Sequence, residues 1–79
     1  NYTIIDLREI DELPRLAFSS VQHIPFAEIE KHQKHLEKNQ QIILFCQSGT
    51  RSKKALELFI TNGFNNVYHL QNGIQSLHL

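Results

Sequence analysis

Short apolar runs alternate with segments of helical spacing along the chain. Four runs rich in β-branched or aromatic residues predict strands at residues 2–7, 20–24, 41–45 and 66–70. Apolar residues one helical turn apart predict an amphipathic helix over residues 52–62, with Gly63 as the residue that ends it. A narrower apolar stripe predicts a surface helix over residues 27–38. Shorter helical turns or loops are expected at residues 9–16 and 74–79, with a tight turn at 71–73 between the last strand and the final segment.

This alternation of strands and helices predicts an α/β fold, in which a small parallel sheet of about four strands is flanked by helices. The third run is apolar along nearly its whole length, which is typical of a strand covered on both faces. The carboxyl ends of parallel strands form one edge of a sheet, and binding sites form along that edge. The residues expected there are Asp6, Arg8, His23, Cys46, Gln71 and Asn72.

Size and charge narrow the range of functions. The 79 residues are expected to form one domain, and because a strand begins directly after Asn1 we interpret residues 1–79 as a fragment of a longer chain. Eight basic residues balance eight acidic ones, so neither nucleic acid nor a membrane is an expected partner. A lone cysteine cannot form an internal disulfide, and it fits a reducing, cytoplasmic location.

That lone cysteine, Cys46, lies at a position in the sequence that favours a reactive thiolate. It follows the third predicted strand, and a short polar loop separates it from the helix that is predicted to start near Ser52. This order directs backbone N–H groups and the positive end of the helix dipole at the sulfur, which stabilises a thiolate and lowers its pKa. Arg51 adds a fixed positive charge. The alternative is a buried structural cysteine, which is a common role of a free cysteine.

The spacing between Cys46 and Arg51 separates two chemistries. Four residues lie between them, whereas cysteine-dependent phosphatases have five and usually a His before the Cys, where this chain has Phe45. A loop that is shorter by one residue forms a tighter cradle for an anion. We therefore expect the loop to hold a single sulfur atom better than a phosphate group.

Four segments, which together run over nearly the whole chain, resemble the rhodanese-type sulfurtransferase domains. They are residues 4–9 (IIDLRE), 23–26 (HIPF), 43–52 (ILFCQSGTRS) and 63–74 (GFNNVYHLQNGI). The chain departs from the family pattern in a compressed segment at 16–22 and in Asn72, where the family usually has a Gly. The family's N-terminal strand and helix and the end of its last helix are also missing. Compact versions of this kind resemble the C-terminal domain of the E1-like adenylyltransferases of thiamin and molybdopterin biosynthesis.

The resemblance implies a persulfide mechanism that requires no metal and no organic cofactor. Cys46 would be the nucleophile that accepts a sulfane sulfur from thiosulfate or a protein persulfide, and a nucleophilic acceptor would then remove that sulfur. In the E1-like case the acceptor is a small ubiquitin-like sulfur-carrier protein. The residues expected to bind substrate are Asp6, Arg8, Gln47, Ser48, Gly49, Thr50, Arg51 and Ser52.

Some of these roles have structural alternatives. Asp6 and Arg8 either shape the pocket or pair with each other at the end of their strand, and Arg51 either binds an anion or braces the loop. Two other functions also stay open at this point. One is a non-catalytic interaction module of the same shape with an idle thiol, and the other is a cysteine-dependent phosphatase.

The histidines give weaker indications of a functional site than Cys46 does. His32 and His35 are three residues apart on a predicted helix, which is a spacing that can hold a metal. No third ligand lies nearby in the sequence, so we expect a solvated helix face instead. His69 falls within the fourth predicted strand and is expected to be an ordinary strand residue.

Overall fold

Each of the four apolar runs forms a strand in the computed structural model, which describes residues 2–12 and 20–76. The strands are β1 (Thr3–Asp6), β2 (Val21–His23), β3 (Ile42–Phe45) and β4 (Val67–His69). They are shorter than the runs by one residue at nearly every end, which is within the usual uncertainty of element boundaries. Side chains of β3 are buried or half-buried on both of its faces, as its continuous apolar sequence predicts.

The strands form one sheet in the order β2-β1-β3-β4, and every neighbouring pair is parallel. The predicted α/β class with a four-stranded parallel sheet is therefore confirmed. The register places Asp6 beside both His23 and Phe45, and Leu44 beside His69. Because β1 and β3 are central and end level with each other, the segments that follow Asp6 and Phe45 leave the same edge of the sheet side by side.

The long helix α2 (Thr50–Thr61) begins two residues before the predicted start and buries Ala55 and Phe59 against the sheet. Its carboxyl end has the hydrogen bonds of a Schellman motif, in which Gly63 N–H donates to Ile60 and Phe64 N–H donates to Phe59. Gly63 has a φ of 91°, which is the left-handed conformation that this motif requires. The predicted helix end at Gly63 is confirmed.

The predicted surface helix over residues 27–38 is broken into three short pieces. A 3-10 turn (Phe26–Glu28) leads into helix α1 (Ile29–His32), which passes into a second 3-10 turn (Gln33–His35). Only Ile29 and Gln33 are buried in these pieces, so little apolar contact supports a continuous α-helix. The prediction of one uninterrupted helix was wrong for this reason.

The two shorter predicted segments lie partly outside the described residues. Residues 9–12 form a turn in which Glu12 N–H donates to the carbonyl of Glu9, whereas residues 13–16 are not described. After β4 a 3-10 turn (Gly73–Ser76) occupies the start of the expected 74–79 helix, and residues 77–79 are not described. Within the described ranges, no helix is long and apolar enough to cross a bilayer.

The apolar core lies on the sheet face that α2 covers, and it reaches the strand ends where the polar edge begins. The rings of Phe59 and Phe64 meet edge-on with centroids 4.8 Å apart. Cys46 belongs to the same buried cluster, so the thiol lies at the boundary between the core and the polar edge. The fully buried aliphatic members of the cluster are Ile5, Leu7, Ile42, Leu44 and Ala55.

Candidate active site

The sulfur of Cys46 lies against backbone amides of the loop that joins β3 to α2. Gly49 N–H donates to Sγ at 3.1 Å, and Ser52 N–H donates to it at 3.3 Å. Gly49 is the N-cap of α2, so both donors belong to the helix start, where N–H groups have no partner within the helix. Cys46 is only 1% exposed, but it faces this ring of donors and not a purely apolar interior.

These donors outweigh the cost of burying a charge. Burial raises the pKa of the Cys46 thiol, whereas hydrogen bonds from the Ser52 amide and hydroxyl, and then from the amides of Gly49 and Ser48, lower it. The net effect is a pKa below the ordinary value of a cysteine. A larger fraction of the thiolate, which is the nucleophilic form, is therefore present near neutral pH.

Gly49 gives the loop a shape that no other residue would allow. Its φ is 101°, and a Cβ added there would lie 1.9 Å from the carbonyl oxygen of Gln71. The turn after β4 thus packs directly against the loop backbone, and it fixes the Gly49 N–H group that donates to the sulfur. A glycine is required at this position for two independent reasons, conformation and space.

The first two carbonyl groups of the loop are held by the 3-10 turn Gly73–Ser76. Ile74 N–H donates to the Cys46 carbonyl at 2.9 Å, and Gln75 N–H donates to the Gln47 carbonyl at 3.3 Å. A Cβ at Gly73 would lie 2.5 Å from both of these carbonyl oxygens. The unusual Asn72 is exposed, whereas Gly73, the glycine of the family pair that this chain keeps, is the one in close contact with the loop.

Asp6 and Arg8 pair with each other beneath the loop. Arg8 Nη2 lies 3.1 Å from Asp6 Oδ2, and Arg8 Nε and backbone N–H both donate to Oδ1. Arg8 Nη1 also donates to Gln47 Oε1 at 3.3 Å, and the Arg8 residue is 0% exposed. The structure therefore has the second of the two alternatives, a pair at the strand end. Asp6 neutralises the charge of Arg8, and Arg8 is buried, so its guanidinium group is not presented to solvent. The expectation that Asp6 and Arg8 bind substrate stays a prediction.

Arg51 is held by a residue that the sequence did not single out. Its Nη1 and Nη2 donate to the two carboxylate oxygens of Glu12 at 2.7 and 2.8 Å. The Arg51 hydrogen bonds lower the pKa of Glu12 to about 2, and the same pairing raises the pKa of Arg51. Arg51 thus joins the start of α2 to the 9–12 turn, and both side chains stay partly exposed at the loop.

Ser52 connects the loop to β4 through His69, a contact that the sequence did not predict. Ser52 is fully buried, and its hydroxyl lies 2.9 Å from Nδ1 of His69 and 3.2 Å from the Gly49 carbonyl oxygen. The sequence placed His69 in an ordinary strand position. The available signal was its place two residues before the turn that follows β4, on the edge where the other site residues converge.

The outer side of the loop borders an open cleft of about 490 Å³. Ser48 and Thr50 are exposed there, with their hydroxyl oxygens 3.4 Å apart. Cys46 does not line this cleft, so the space lies beside the sulfur site and is not the site itself. The other lining residues are Gly49, Lys53, Lys54, Glu57 and Gln71.

Within residues 2–12 and 20–76, no group of three or more His, Cys, Asp or Glu side chains is arranged to hold a metal ion. The rings of His32 and His35 lie 5.6 Å apart between centroids on the face of the broken surface helix. Two rings without a further acidic, cysteine or histidine ligand do not make a metal centre. The loop that surrounds Cys46 is therefore the candidate active site.

A family model and several known proteins match this chain. The model of the family described as Rhodanese-like domain matches residues 1–78. A Bacillus subtilis protein named "Putative sulfur carrier protein YrkF" is 36% identical over 72 residues, which cover 91% of this chain and 39% of that protein. A tRNA uridine(34) hydroxylase of Buchnera aphidicola is 48% identical over 40 residues, which cover 51% of this chain and 13% of that enzyme. The chain thus spans well under half the length of these relatives.

Two solved structures superpose closely on the chain. A rhodanese-related protein from Thermoplasma volcanium has a TM-score of 0.81 at 33% identity, with coverage of 95% of this chain and 74% of that one. An NAD-dependent persulfide reductase from A. fulgidus has a TM-score of 0.79 at 29% identity, with coverage of 92% of this chain and 13% of that one.

Proposed function

The chain belongs to the rhodanese-like domain family, and from this premise we propose that it is a sulfurtransferase that carries a sulfane sulfur on Cys46. The single observation that carries the proposal is that Cys46 Sγ accepts hydrogen bonds from the backbone N–H groups of Gly49 and Ser52 at the start of α2. These donors stabilise a thiolate before the reaction, and the same donors can stabilise negative charge on an added sulfur.

The first half of the reaction loads the sulfur. The Cys46 thiolate attacks the outer sulfur of thiosulfate, a sulfur–sulfur bond forms, and the bond to the sulfonate group breaks. Sulfite leaves with the bonding electron pair, and the product is the Cys46 persulfide anion. A persulfide on a donor protein would react in the same way, with a protein thiolate as the leaving group. The attack starts from the thiolate form of Cys46, which the amides of Gly49 and Ser52 favour.

The second half of the reaction releases the sulfur. A nucleophilic acceptor, such as a thiolate, attacks the outer sulfur of the persulfide, and the Cys46 thiolate leaves with the electron pair. Cys46 returns to its starting state, so no external oxidant or reductant is consumed. A ubiquitin-like sulfur-carrier protein is another candidate acceptor, and with it the direction of attack is reversed. The outer sulfur of the Cys46 persulfide attacks the activated carboxyl end, and the activating group leaves. An external thiol then attacks Cys46 Sγ, which releases a thiocarboxylate, and a second thiol reduces the disulfide left on Cys46.

The access to Cys46 favours this chemistry over phosphate transfer. Because the residue is 1% exposed, a reacting atom has to reach it at the tip of a small anion or of a flexible side chain. A terminal sulfur meets that requirement, whereas a phosphate ester also needs a free arginine for its oxygens. Arg51 is already engaged by both carboxylate oxygens of Glu12.

The test is the intact mass of the protein after incubation with thiosulfate. We expect a gain of about 32 Da, one sulfur atom, which a thiol reductant removes. Cys46→Ser is the matched control, because it keeps the size of the side chain and removes the nucleophile. Since Cys46 is the only cysteine, no second thiol can account for the gain. Addition of cyanide should then return the mass to its starting value and yield thiocyanate.

The outcomes separate the three functions that the sequence left open. A folded wild-type protein that gains no mass from thiosulfate or from a low-molecular-weight persulfide would refute the proposal and favour an interaction module. Steady turnover of an aryl phosphate that requires Cys46 would refute it in favour of a phosphatase. Circular dichroism on the same samples establishes that each variant is folded.

A further inference from the structure

The loop around Cys46 meets an arginine at each end, and each arginine is already paired with a carboxylate. Arg8, which contacts the start of the loop, pairs with Asp6 and is 0% exposed. At the other end Arg51 donates from both of its Nη groups to the two carboxylate oxygens of Glu12, at 2.7 and 2.8 Å. The Arg51 side chain is 30% exposed, so a reagent at the loop could reach its guanidinium group if Glu12 did not occupy it.

Glu12 is held in place by the turn that it ends. Glu9 N–H donates to Glu12 Oε1 at 2.8 Å, and Glu12 N–H donates to the Glu9 carbonyl at 3.1 Å. This turn directly follows the buried Arg8, which anchors it to the sheet. The hydrogen bonds from Arg51 lower the pKa of Glu12 to about 2, so its carboxylate is charged at neutral pH. The arginine therefore meets a fixed and permanent anion.

The pairing has different consequences for the two kinds of sulfur donor. Thiosulfate carries a sulfonate group next to the sulfur that reacts, and an approaching thiolate is also an anion, so the reaction gains from a cation that faces the sulfonate. A guanidinium group is the strongest side-chain partner for such oxygens, because it donates two parallel hydrogen bonds. Arg51 directly precedes Ser52, whose N–H group donates to the Cys46 sulfur, but its donors are already in use.

A thiol persulfide brings no oxyanion to the loop. The Cys46 thiolate attacks its outer sulfur, a new sulfur–sulfur bond forms, and the sulfur–sulfur bond of the donor breaks. The donor thiolate leaves with the electron pair and takes up the proton of the transferred sulfur. This reaction does not need the guanidinium group of Arg51.

We propose that Glu12 is a specificity-determining residue, because by occupying Arg51 it makes the Cys46 site favour persulfide donors over donors with an oxyanion beside the reacting atom. Glu12 acts through Arg51 and takes no part in the bond changes at sulfur. The inference deepens the proposed function, and for the sulfur donors it rests on it. The selection by charge is a property of the thiol and its surroundings, so it can also be measured without any sulfur donor.

Other charged side chains at the start of α2 lie on a different side of the loop. Lys53, Lys54 and Glu57 line the open cleft on its outer side, which Cys46 does not border. Glu57 is exposed, and in the part of the chain that the structure describes it forms no ion pair with Arg51. Glu57→Gln is therefore a matched control for Glu12→Gln, because it removes the same charge and leaves the Arg51 pair intact.

The experiment compares the alkylation of Cys46 by iodoacetate and by iodoacetamide. The two reagents have nearly the same size, and in both the thiolate displaces iodide from a CH₂ group, but only iodoacetate carries a carboxylate. The ratio of their second-order rate constants cancels any change in the thiolate fraction or in access to the sulfur. We expect this ratio to rise about tenfold in Glu12→Gln, a factor equivalent to about 1.4 kcal/mol, and to stay near the wild-type value in Glu57→Gln.

Two results would overturn the inference at this stage. One is an unchanged ratio in Glu12→Gln, and the other is an equal rise in Glu57→Gln, which would assign the effect to net charge. Glu12→Ala removes the carboxylate by a different change and should give the same rise. Circular dichroism checks that each variant is folded, as we expect for substitutions in a partly exposed pair.

A double-substitution cycle tests the route through Arg51. In an Arg51→Gln background, Glu12→Gln should not produce the tenfold rise of about 1.4 kcal/mol, because the cation that it would release is absent. A rise of the same size in that background would overturn the inference.

Sulfur loading extends the test to the donors themselves. The rate of the gain of about 32 Da is measured with thiosulfate and with hydroxyethyl persulfide, which carries no oxyanion. In Glu12→Gln the rate with thiosulfate should rise about tenfold, whereas the rate with the persulfide should stay near that of the wild type. An equal rise with both donors would overturn the selection between them.

The alkylation ratio and the sulfur loading allow the two proposals to fail separately. A ratio that rises in Glu12→Gln, together with no gain of mass from either donor, would refute the sulfurtransferase function and leave the charge selection standing. A gain of mass together with a ratio that Glu12→Gln does not change would refute the role of Glu12 alone.

Discussion

Gly49→Ala is the substitution for which the structure gives the clearest magnitude. A Cβ at this position would lie 1.9 Å from the Gln71 carbonyl oxygen and 2.8 Å from its carbon, and the obstacle is main chain, which cannot rotate away. The φ of 101° costs about 1–2 kcal/mol for a residue with a Cβ. Forcing an extra carbon into a packed site costs about 1–3 kcal/mol more. The expected loss is therefore about 2–5 kcal/mol of an unfolding free energy of about 4–12 kcal/mol for a chain of this length.

The chain supplies its own control in Gly63→Ala. Gly63 has a similar φ of 91°, but the nearest atom to an added Cβ is the Lys38 side-chain carbon Cδ at 3.9 Å. This variant should lose only the conformational part, about 1–2 kcal/mol. Urea unfolding followed by circular dichroism gives both free energies, and their difference isolates the close contact between the loop and the turn after β4.

The same pair of variants tests the link between the loop and the thiol. Gly49 N–H donates to the Cys46 sulfur, so a displaced Gly49 should raise the pKa of the thiol and slow its alkylation at neutral pH. Gly63→Ala should leave the alkylation rate unchanged. Equal stability of the two variants would refute the packing argument. A folded Gly49→Ala protein with a wild-type alkylation profile would refute the role of this amide.

Three further substitutions test other parts of the structure. Glu12→Gln should reduce the acid sensitivity of stability: the pKa of Glu12 is lowered from 4.5 to about 2, so the stabilisation by Arg51 is present above about pH 4.5 and is lost as the pH falls toward 2. For this partly exposed pair we expect less than about 1 kcal/mol, measured by urea unfolding across that pH range. Phe59→Ala should cost about 3–5 kcal/mol by the same assay, since it empties a fully buried site. Arg8→Met should lower the free energy of unfolding by about 3–5 kcal/mol, because it removes the cation that pairs with the buried carboxylate of Asp6. The loss should be much smaller in an Asp6→Asn background. An equal loss in both backgrounds would contradict the pairing.

The close contacts of the loop explain why this chain has glycine at positions 49 and 73. Gly49 and Gly73 each bring main chain from the segment after β4 against the Cys46 loop, from two sides. The thiol is therefore held by the turn that closes the sheet as well as by its own helix. Asn72 is exposed, and neither of these two close contacts involves its side chain.

The sequence by itself determined the four strands, the long helix with its end at Gly63, and the placement of Cys46 between a buried strand and a helix. These features depend on residues that are near one another in the chain. The periodicity of apolar side chains selects strand or helix, and a glycine at a helix end adopts the left-handed conformation wherever the helix lies. The functional roles assigned to the loop residues stay predictions until the sulfur-loading test is made.

Only the tertiary structure decided which polar groups meet around the thiol. Arg51 pairs with Glu12, and Arg8 reaches Gln47, each across 39 positions, while Ser52 meets His69 across 17. The sequence offered several possible partners for each charge, and local spacing carries no information on which strands become neighbours. It also could not show that the 27–38 segment breaks, because the length of a weakly apolar helix depends on the surface that it finds to cover. The polar side chains that meet around the thiol were therefore decided by the order β2-β1-β3-β4, which brings β1 and β4 to opposite sides of β3, the strand that Cys46 follows.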